Sequence, residues 1–449
     1  MAREGGIPAA DAARGDNLLQ SRPRTRSRTT RQQTHIAFIV AVRHQQEDLM
    51  RYTSCAPSGM YRNGAWSDSA ALLNEFFRGD SVAFAPELVE ELYEPYGYRR
   101  SDPVVLGKDA RGLSGVMEIA RSVNDHHGLG PASVLCRLDE ACLANNVVYN
   151  RAGGELSVVY ESHLPGDRAL NPLRPASALA MPTQSFGGVP NRRYLWMGSA
   201  GSANYGHWLI DDLPKVAAIE VLLRQDPHTE VHVLLPDCGD VHNTIHLHSI
   251  GLMLGAALVP RISIHFIDIR RTVWVEGLHF ATPVSRHPYS KSPDAVAYVA
   301  NRLPAAIRHL DPDQKRRRLF VTRPPSDKRN LLNPGQVEDF LTSLGFELIE
   351  TSRMGIVQQI ALFSAADVVV GCMGAAMTNT IFCDPGTRVV HLTPDGWVEP
   401  FYWDLSSIRN HEYVAIYGDV ASSGASPPDR DFRIDLDDLK ASLGKLEMA

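Results

Sequence analysis

The sequence lacks a membrane-spanning run. The longest apolar stretch near its start, Ile36-Ala-Phe-Ile-Val-Ala-Val42, has seven residues, against roughly 20 needed to cross a bilayer as a helix, and it has the length of a strand. No apolar region of signal-peptide form follows the leader. The six cysteines (Cys55, Cys136, Cys142, Cys238, Cys372 and Cys383) form no C-x-x-C pair and have no disulfide-scaffold density, so they are expected to be reduced and mostly buried thiols. The absence of Gly-x-Gly-x-x-Gly after the first strand argues against a nucleotide-sugar epimerase or a Rossmann oxidoreductase. His242 and His246 have i, i+4 ligand spacing, but no glutamate follows His242 as a zinc protease requires, so structural histidines are expected. No internal repeat with a period of roughly 20 to 50 residues is present.

Charge of one sign is also scarce. Lys and Arg number 45 against 51 Asp and Glu, a formal balance of −6, which argues against general nucleic-acid affinity. With 44% apolar and 21% charged residues, the chain is typical of a globular enzyme. Its 449 residues exceed one ordinary core, so two α/β domains are expected. The exception to the even charge is Ser21-Arg-Pro-Arg-Thr-Arg-Ser-Arg-Thr-Thr-Arg31. This run reads either as a solvated, disordered tail or as a peripheral contact with anionic lipid headgroups or RNA.

The first 170 residues are weakly periodic, although Val147-Val-Tyr149 and Ser157-Val-Val-Tyr160 around Gly153-Gly154 predict a hairpin. From Arg193 the grammar becomes βαβ. Strands are expected at 194–197, 231–235 and 262–267, with helices at 204–223, where Pro214 kinks or restarts the chain, and at 241–254. The polar stretch 311–318, with Pro312 and four basic residues from Lys315 to Arg318, is the candidate linker. Beyond it come strand 319–322, helix 335–344, strand 346–350, helix 355–365, strand 368–370, a helix from Ala375, strands 388–392 and 413–417, and a last helix over 436–446. Val337, Phe340, Leu341 and Leu344 recur at helical spacing, one stripe facing a sheet. The continuously apolar Val368-Val-Val370 suits a parallel strand covered on both faces. The expected division is a basic tail over 1–34, an N-terminal α/β domain over 35–310, a C-terminal Rossmann-like domain over 311–420, and a linker and helix over 421–449.

Three stretches carry chemistry. His207 and Asp211 stand at i and i+4 near a helix N-terminus, where they either meet one ligand as a proton-accepting pair or form an ordinary acidic cap with a core histidine. Gly371-Cys-Met-Gly-Ala-Ala-Met-Thr-Asn379 follows a buried strand and opens a helix. Its small residues let backbone N–H groups approach a diphosphate, or merely allow a tight turn. Arg323, Lys328 and Arg329 follow the first strand of the second unit, either as phosphate ligands or as solvated cations. Asp311-Pro-Asp313 and Asp435-Leu-Asp437 match a metal-diphosphate signature of two residues that recurs by chance, so caps and turns are the stronger reading.

Together these stretches resemble glycosyltransferase family 61. The resemblance lies in the order of six elements: His207-Trp208 with Asp211; Arg323 with Arg329 and Asn333; Gly345-Phe346-Glu347; Gln359 to Phe363 with Ala366; Gly371 to Asn379; and Phe382 to Thr387. It implies an inverting, metal-independent transferase of two Rossmann-like domains facing a cleft, the GT-B arrangement, with an irregular N-terminal extension. The donor would be a nucleotide sugar, with UDP the first choice, and the acceptor a glycan or lipid-linked glycan. No cofactor beyond the donor, no metal and no specific nucleic acid is implied. Asp211 would be the base, supported by His207. Arg323, Arg329 and the Gly374 turn would hold the diphosphate, joined in the donor site by Asn333, Gly371, Ala375 and Thr378. Asn379 would contact the nucleotide or cap the helix. Asp212, beside Asp211, leaves the choice of base open. Many family members have a histidine where this chain has Met373 and an acidic residue where it has His391. Bacterial members suggest capsular or surface-polysaccharide assembly. The lack of signal and membrane segments fits a bacterial cytoplasmic enzyme, with membrane association through the arginine run as an option. The rival is a non-catalytic nucleotide- or glycan-binding relative.

Overall fold

A computed structural model of the chain describes residues 51–54, 83–84, 87–108, 110–125, 130, 132–164, 166–310, 316–421 and 425–444. The arginine run, the strand expected at 36–42 and Asp311-Pro-Asp313 lie outside the described residues. No helix among those residues is long and apolar enough to cross a membrane. The mixed α/β class expected from the sequence is observed, built on two large sheets.

The first sheet is organised around four parallel strands, Arg192–Trp196, Glu230–Pro236, Ile262–Ile267 and Val273–Ala281, in the spatial order third, second, first, fourth. Helical segments between Tyr205 and Gln225 and over Asp240–Leu258 make the crossovers. An antiparallel extension follows at the fourth strand, where Ser133–Ala144 pairs with it from Val273↔Leu143 to Ala281↔Leu135. Ser133–Ala144 turns into Val147–Ala152 through Asn145 and Asn146, at φ 51° and 61°. Two successive left-handed residues match the twist of a tight hairpin, and asparagine tolerates that conformation. The hairpin predicted around Gly153-Gly154 is present, with Ala152 opposite Glu155.

The second sheet carries five parallel strands, Arg317–Val321, Glu347–Ile349, Ala366–Cys372, Arg388–Pro394 and Glu412–Val420, in the order second, first, third, fourth, fifth. Its far edge is completed by Val104–Gly107, parallel to the fifth strand and far ahead of it in sequence. Arg317 and Arg318, expected in the linker, belong to the first of these strands. Both faces are covered. Val369 packs with Leu319, Val389 and the helices between the sheets, while Val368 and Val370 pack with Val337, Leu341, Leu439 and Leu443 on the outer side. This double burial is why the strand reads as unbroken valine. Helix Pro334–Ser343 buries Val337 and Leu341, with Phe340 and Leu344 at its margin, and Gly345 closes it at φ 77°, the left-handed position that favours glycine.

One apolar core runs between the sheets. Leu195 and Val233 from the first sheet and Leu319 and Val369 from the second meet Trp208, Leu222, Val299, Leu303, Ile360, Phe363, Met377 and Phe382 from the helical layer. Each large apolar side chain fully buried there stabilises the fold by about 1.5–3 kcal/mol. The helix expected from Ala375 is instead a 3₁₀ helix over Ala375–Phe382. Asn379 Nδ2 and Thr380 Oγ1 donate to the carbonyls of Ala376 and Met377, the acceptors that α-helical backbone bonds would otherwise use.

Candidate functional site

In open α/β sheets ligands bind at the carboxyl ends of the strands, at the point where strand order reverses. In the first sheet that point lies between Arg192–Trp196, which leads to His207, and Val273–Ala281, which leads to Ser285 and His287. In the second it lies between Arg317–Val321, which leads to Arg323 and Arg329, and Ala366–Cys372, which leads to Gly374. The two reversal points touch. A Cβ at Gly206 would meet Thr378 Oγ1 at 2.6 Å, and Tyr205 donates its hydroxyl to Asn379 Oδ1 at 2.6 Å.

The first half of the site begins at Asn204, whose side chain caps the turn Tyr205–His207 by accepting from the Gly206 amide at 2.8 Å. Trp208–Asp212 then forms a π-helical turn and Leu213–Lys215 a 3₁₀ turn, an adjustment at Pro214, which offers no amide hydrogen. The restart expected at Pro214 is therefore spread over both turns. His207 Nδ1 lies 2.7 Å from Asp211 Oδ2, and Ser285 donates its hydroxyl to Asp211 Oδ1. Gly201 leaves room for the imidazole, since a Cβ there would stand 2.5 Å from His207 Cγ. Burial opposes charge on His207, but the Asp211 hydrogen bond and the nearby carboxylates of Asp211, Asp212 and Asp167 outweigh it and raise the imidazole above its ordinary value. Burial likewise opposes the Asp211 carboxylate. The His207 bond and charge, His287 and Ser285 outweigh it and bring Asp211 down to about 2.

Asp212 has a different environment. It is fully buried, with Lys215 Nζ at 2.9 Å and hydroxyls from Ser202 at 2.7 Å and Ser199 at 3.1 Å. Its surroundings hold structure rather than face a ligand. Replacing Lys215 with methionine strands this carboxylate, and we expect a loss of about 3–5 kcal/mol in denaturant unfolding. A loss under about 1 kcal/mol would show that the pair is not a structural tie.

The second half of the site is cationic. A Cβ at Gly374 would lie 3.8 Å from Nη1 of both Arg323 and Arg329. Arg329 is fixed in a left-handed backbone conformation, φ 57°. It donates to the carbonyls of Pro428 at 2.7 Å and Met373 at 2.8 Å and stacks on Trp397 at 4.1 Å. Burial first, and then the Arg323 charge, lowers its pKa. Among the described residues neither arginine has an ion-pair partner. Lys328 instead pairs with Asp429 at 3.0 Å. Two guanidinium groups turned on one point, neither of them in an ion pair, have the chemistry that an anion would need there.

The remaining residues singled out from the sequence lie elsewhere or serve packing. A Cβ at Gly371 would strike Met377 Sδ at 2.5 Å, so this glycine is required for close packing. Asn379 is fully buried and bonds Gln359, Ala376 and Tyr205. Asn333 exchanges two hydrogen bonds with the Ile434 backbone. Thr378 is fully buried beneath Gly206, and Ala375 opens the 3₁₀ helix beside Gly374. Met373 offers Arg329 its carbonyl rather than its side chain. His391 is fully buried against Tyr402 and Tyr413, and burial lowers it to about 3. His246 stacks on Trp208 at 3.8 Å. Asp435 caps Leu436–Leu443 and pairs with Lys108.

Residues 205–390 match the family model described as Glycosyltransferase 61. Over that segment the chain is similar to the glycosyltransferases that the model describes. No curated protein matches the chain. The segment matched by the glycosyltransferase 61 model holds His207, Asp211, Ser285, His287, both arginines and Gly374, residues from both halves of the site.

Sequence reasoning missed Ser285, His287 and Glu399. Glu399 caps the helix Pro400–Ile408 by accepting from the Phe401 amide at 3.1 Å. Burial raises its pKa against the Phe401 amide bond and the pull of Lys291, His207 and Arg329. Its Glu-Pro pair is a legible helix start. Ser285 and His287 carry no local signal and become visible only once the strand order is known. His207, Asp211 and His287 each offer one potential metal-ligand atom within 4.8 Å of the others, the one such trio among the described residues. Both Asp211 oxygens already accept hydrogen bonds from His207 and Ser285.

Proposed function

We propose that this protein is an inverting glycosyltransferase that takes a nucleotide-sugar donor, with UDP the preferred nucleotide, and a glycan or lipid-linked glycan acceptor, as in capsular or surface-polysaccharide assembly in the cytoplasm. The arrangement behind it is that of two Rossmann-like units with the donor on the second. The carrying observation is the pair of arginines converging on Gly374, together with a carboxylate-oriented imidazole.

The geometry favours a division of labour that differs from the sequence expectation. A carboxylate at about 2 is a weak proton acceptor, and both Asp211 oxygens are occupied. An imidazole above its ordinary value, held through Nδ1, leaves Nε2 as the nitrogen not engaged by Asp211. His207 is then the base and Asp211 orients it and stabilises its charged form. The acceptor hydroxyl gives its proton to His207 Nε2 as its oxygen bonds to the anomeric carbon. The bond from that carbon to the diphosphate breaks on the opposite face, which inverts the centre. The electron pair leaves with the diphosphate, whose growing charge Arg323, Arg329 and the Gly374 turn offset.

The test is calorimetric titration of UDP, GDP and CMP into the protein with EDTA present. Selective micromolar binding of one nucleotide supports the donor site and names the donor class, and transfer that persists in EDTA supports metal independence. Binding of none would overturn the reading in favour of a non-catalytic relative or a lipid-phosphate donor.

A further inference from the structure

The strand Val273–Ala281 is followed by a short hairpin in which Ser285 pairs with Lys291 and Arg286 with Ser290. Its turn, His287-Pro288-Tyr289, stands beside the reacting groups. Ser285 bonds Asp211, and the His287 ring lies 4.4 Å from the His207 ring. The hairpin is held from beneath by buried charges. Lys291 Nζ donates to Asp404 Oδ2 at 2.8 Å and to the Phe401 carbonyl at 3.0 Å. Arg100 donates from Nε to Asp404 Oδ1 at 2.5 Å and from Nη2 to the Tyr289 carbonyl at 2.9 Å. The Tyr289 amide closes the turn on the Arg286 carbonyl at 2.7 Å, and Tyr96 and Ser290 meet through their hydroxyls at 3.3 Å. On this fixed backbone the Tyr289 side chain is 47% exposed, and His287 is exposed beside it.

We infer that the hairpin Ser285–Lys291 is the acceptor-side wall of the site, and that Tyr289 is the platform on which a sugar ring of the acceptor stacks while its hydroxyl reaches His207. The inference rests on the transferase reading above and assigns the acceptor's place within it. A pyranose presents a face of C–H groups edged by hydroxyls, and a tyrosine offers an apolar ring with a polar tip, so the two surfaces are complementary. A ring carried on an anchored turn binds without first ordering its backbone, which removes part of the entropic cost of association. The hairpin follows a strand of the first sheet and is anchored on Phe401 and Asp404 of the helix Pro400–Ile408.

The experiment compares wild type, Tyr289→Ala and Tyr289→Phe, using the donor whose nucleotide binds and methyl glycosides of glucose, galactose, N-acetylglucosamine and xylose as acceptors. Tyr289→Ala is expected to raise KM for the best methyl glycoside by about five- to ten-fold, with kcat changed much less. Tyr289→Phe should recover most of the loss, and UDP affinity and melting temperature should stay at wild-type values in both variants. A KM within two-fold of wild type in Tyr289→Ala overturns the inference. So does a wild-type protein that hydrolyses the donor but transfers to none of the four glycosides. A wild-type protein that neither binds a nucleotide nor hydrolyses a donor overturns the transferase reading itself, which separates the two failures.

Discussion

Replacing His207 with alanine is expected to lower the transfer rate by about 10²–10⁴-fold, the usual contribution of a positioned general base, while UDP affinity stays within a few-fold of wild type. The pH profile identifies the base more sharply. His207 is raised above its ordinary value by the Asp211 bond and charge, so the rate should climb with pH through an inflection above about 6.5. Asp211→Asn removes the charge that raises it. The inflection should then move to lower pH as the rate falls, because an uncharged partner no longer stabilises the imidazolium. If Asp211 were the base, with a pKa of about 2, no acid limb would appear between pH 5 and 8. A flat profile there, with His207→Ala largely active, would restore the assignment expected from the sequence. The stability signs follow the same shifts. The His207 contribution is complete below the ordinary imidazole value and is lost as pH rises through the raised one. That of Asp211 is present above the ordinary carboxylate value and is lost as pH falls through about 2.

The arginine pair gives the second large effect. Each charged hydrogen bond to a diphosphate contributes about 1.5–3 kcal/mol, so Arg323→Ala should weaken UDP binding by roughly 10- to 150-fold. Arg323 makes no ion pair among the described residues, it donates to the exposed Ser326 hydroxyl at 3.2 Å, and its charge helps to lower the pKa of Arg329. The variant should therefore fold at least as stably as wild type. Arg329→Ala should weaken binding by a similar factor and also lower the melting temperature, since it abandons the Met373 and Pro428 carbonyls and the Trp397 ring. An Arg323→Ala affinity within about two-fold of wild type, measured by calorimetry, would remove the diphosphate from this edge of the sheet.

Much of the second sheet was legible because its signals are local. Val368 to Val370 announce a doubly covered strand. The Val337–Leu341 stripe with Gly345 behind it announces a helix and its stop. Other elements left no such trace. Ser133–Ala144 is partnered on one side by two different strands along its length, and its pattern mixes their demands. The same limit applies to Asn379 and Asn333, which stand in motif positions yet spend their polar atoms on neighbouring backbone and side chains. A motif records that a residue type is needed, not whether its partner is a ligand or the protein.

By itself the sequence determined the α/β class, many of the strands and helices from residue 192 onward though not the strand Val273–Ala281 or the helices Pro293–Ile307 and Pro400–Ile408, and the i, i+4 placement of His207 and Asp211, because four-residue helical spacing and buried-strand composition act over short range. Tertiary structure alone decided that Asp212 is tied to Lys215, that Ser285 and His287 complete the His207 side, and that the two arginines meet at Gly374. Those contacts are set by which strands lie side by side in each sheet. Strand order is fixed by packing the whole helical layer between the sheets, a long-range outcome that no window of sequence contains.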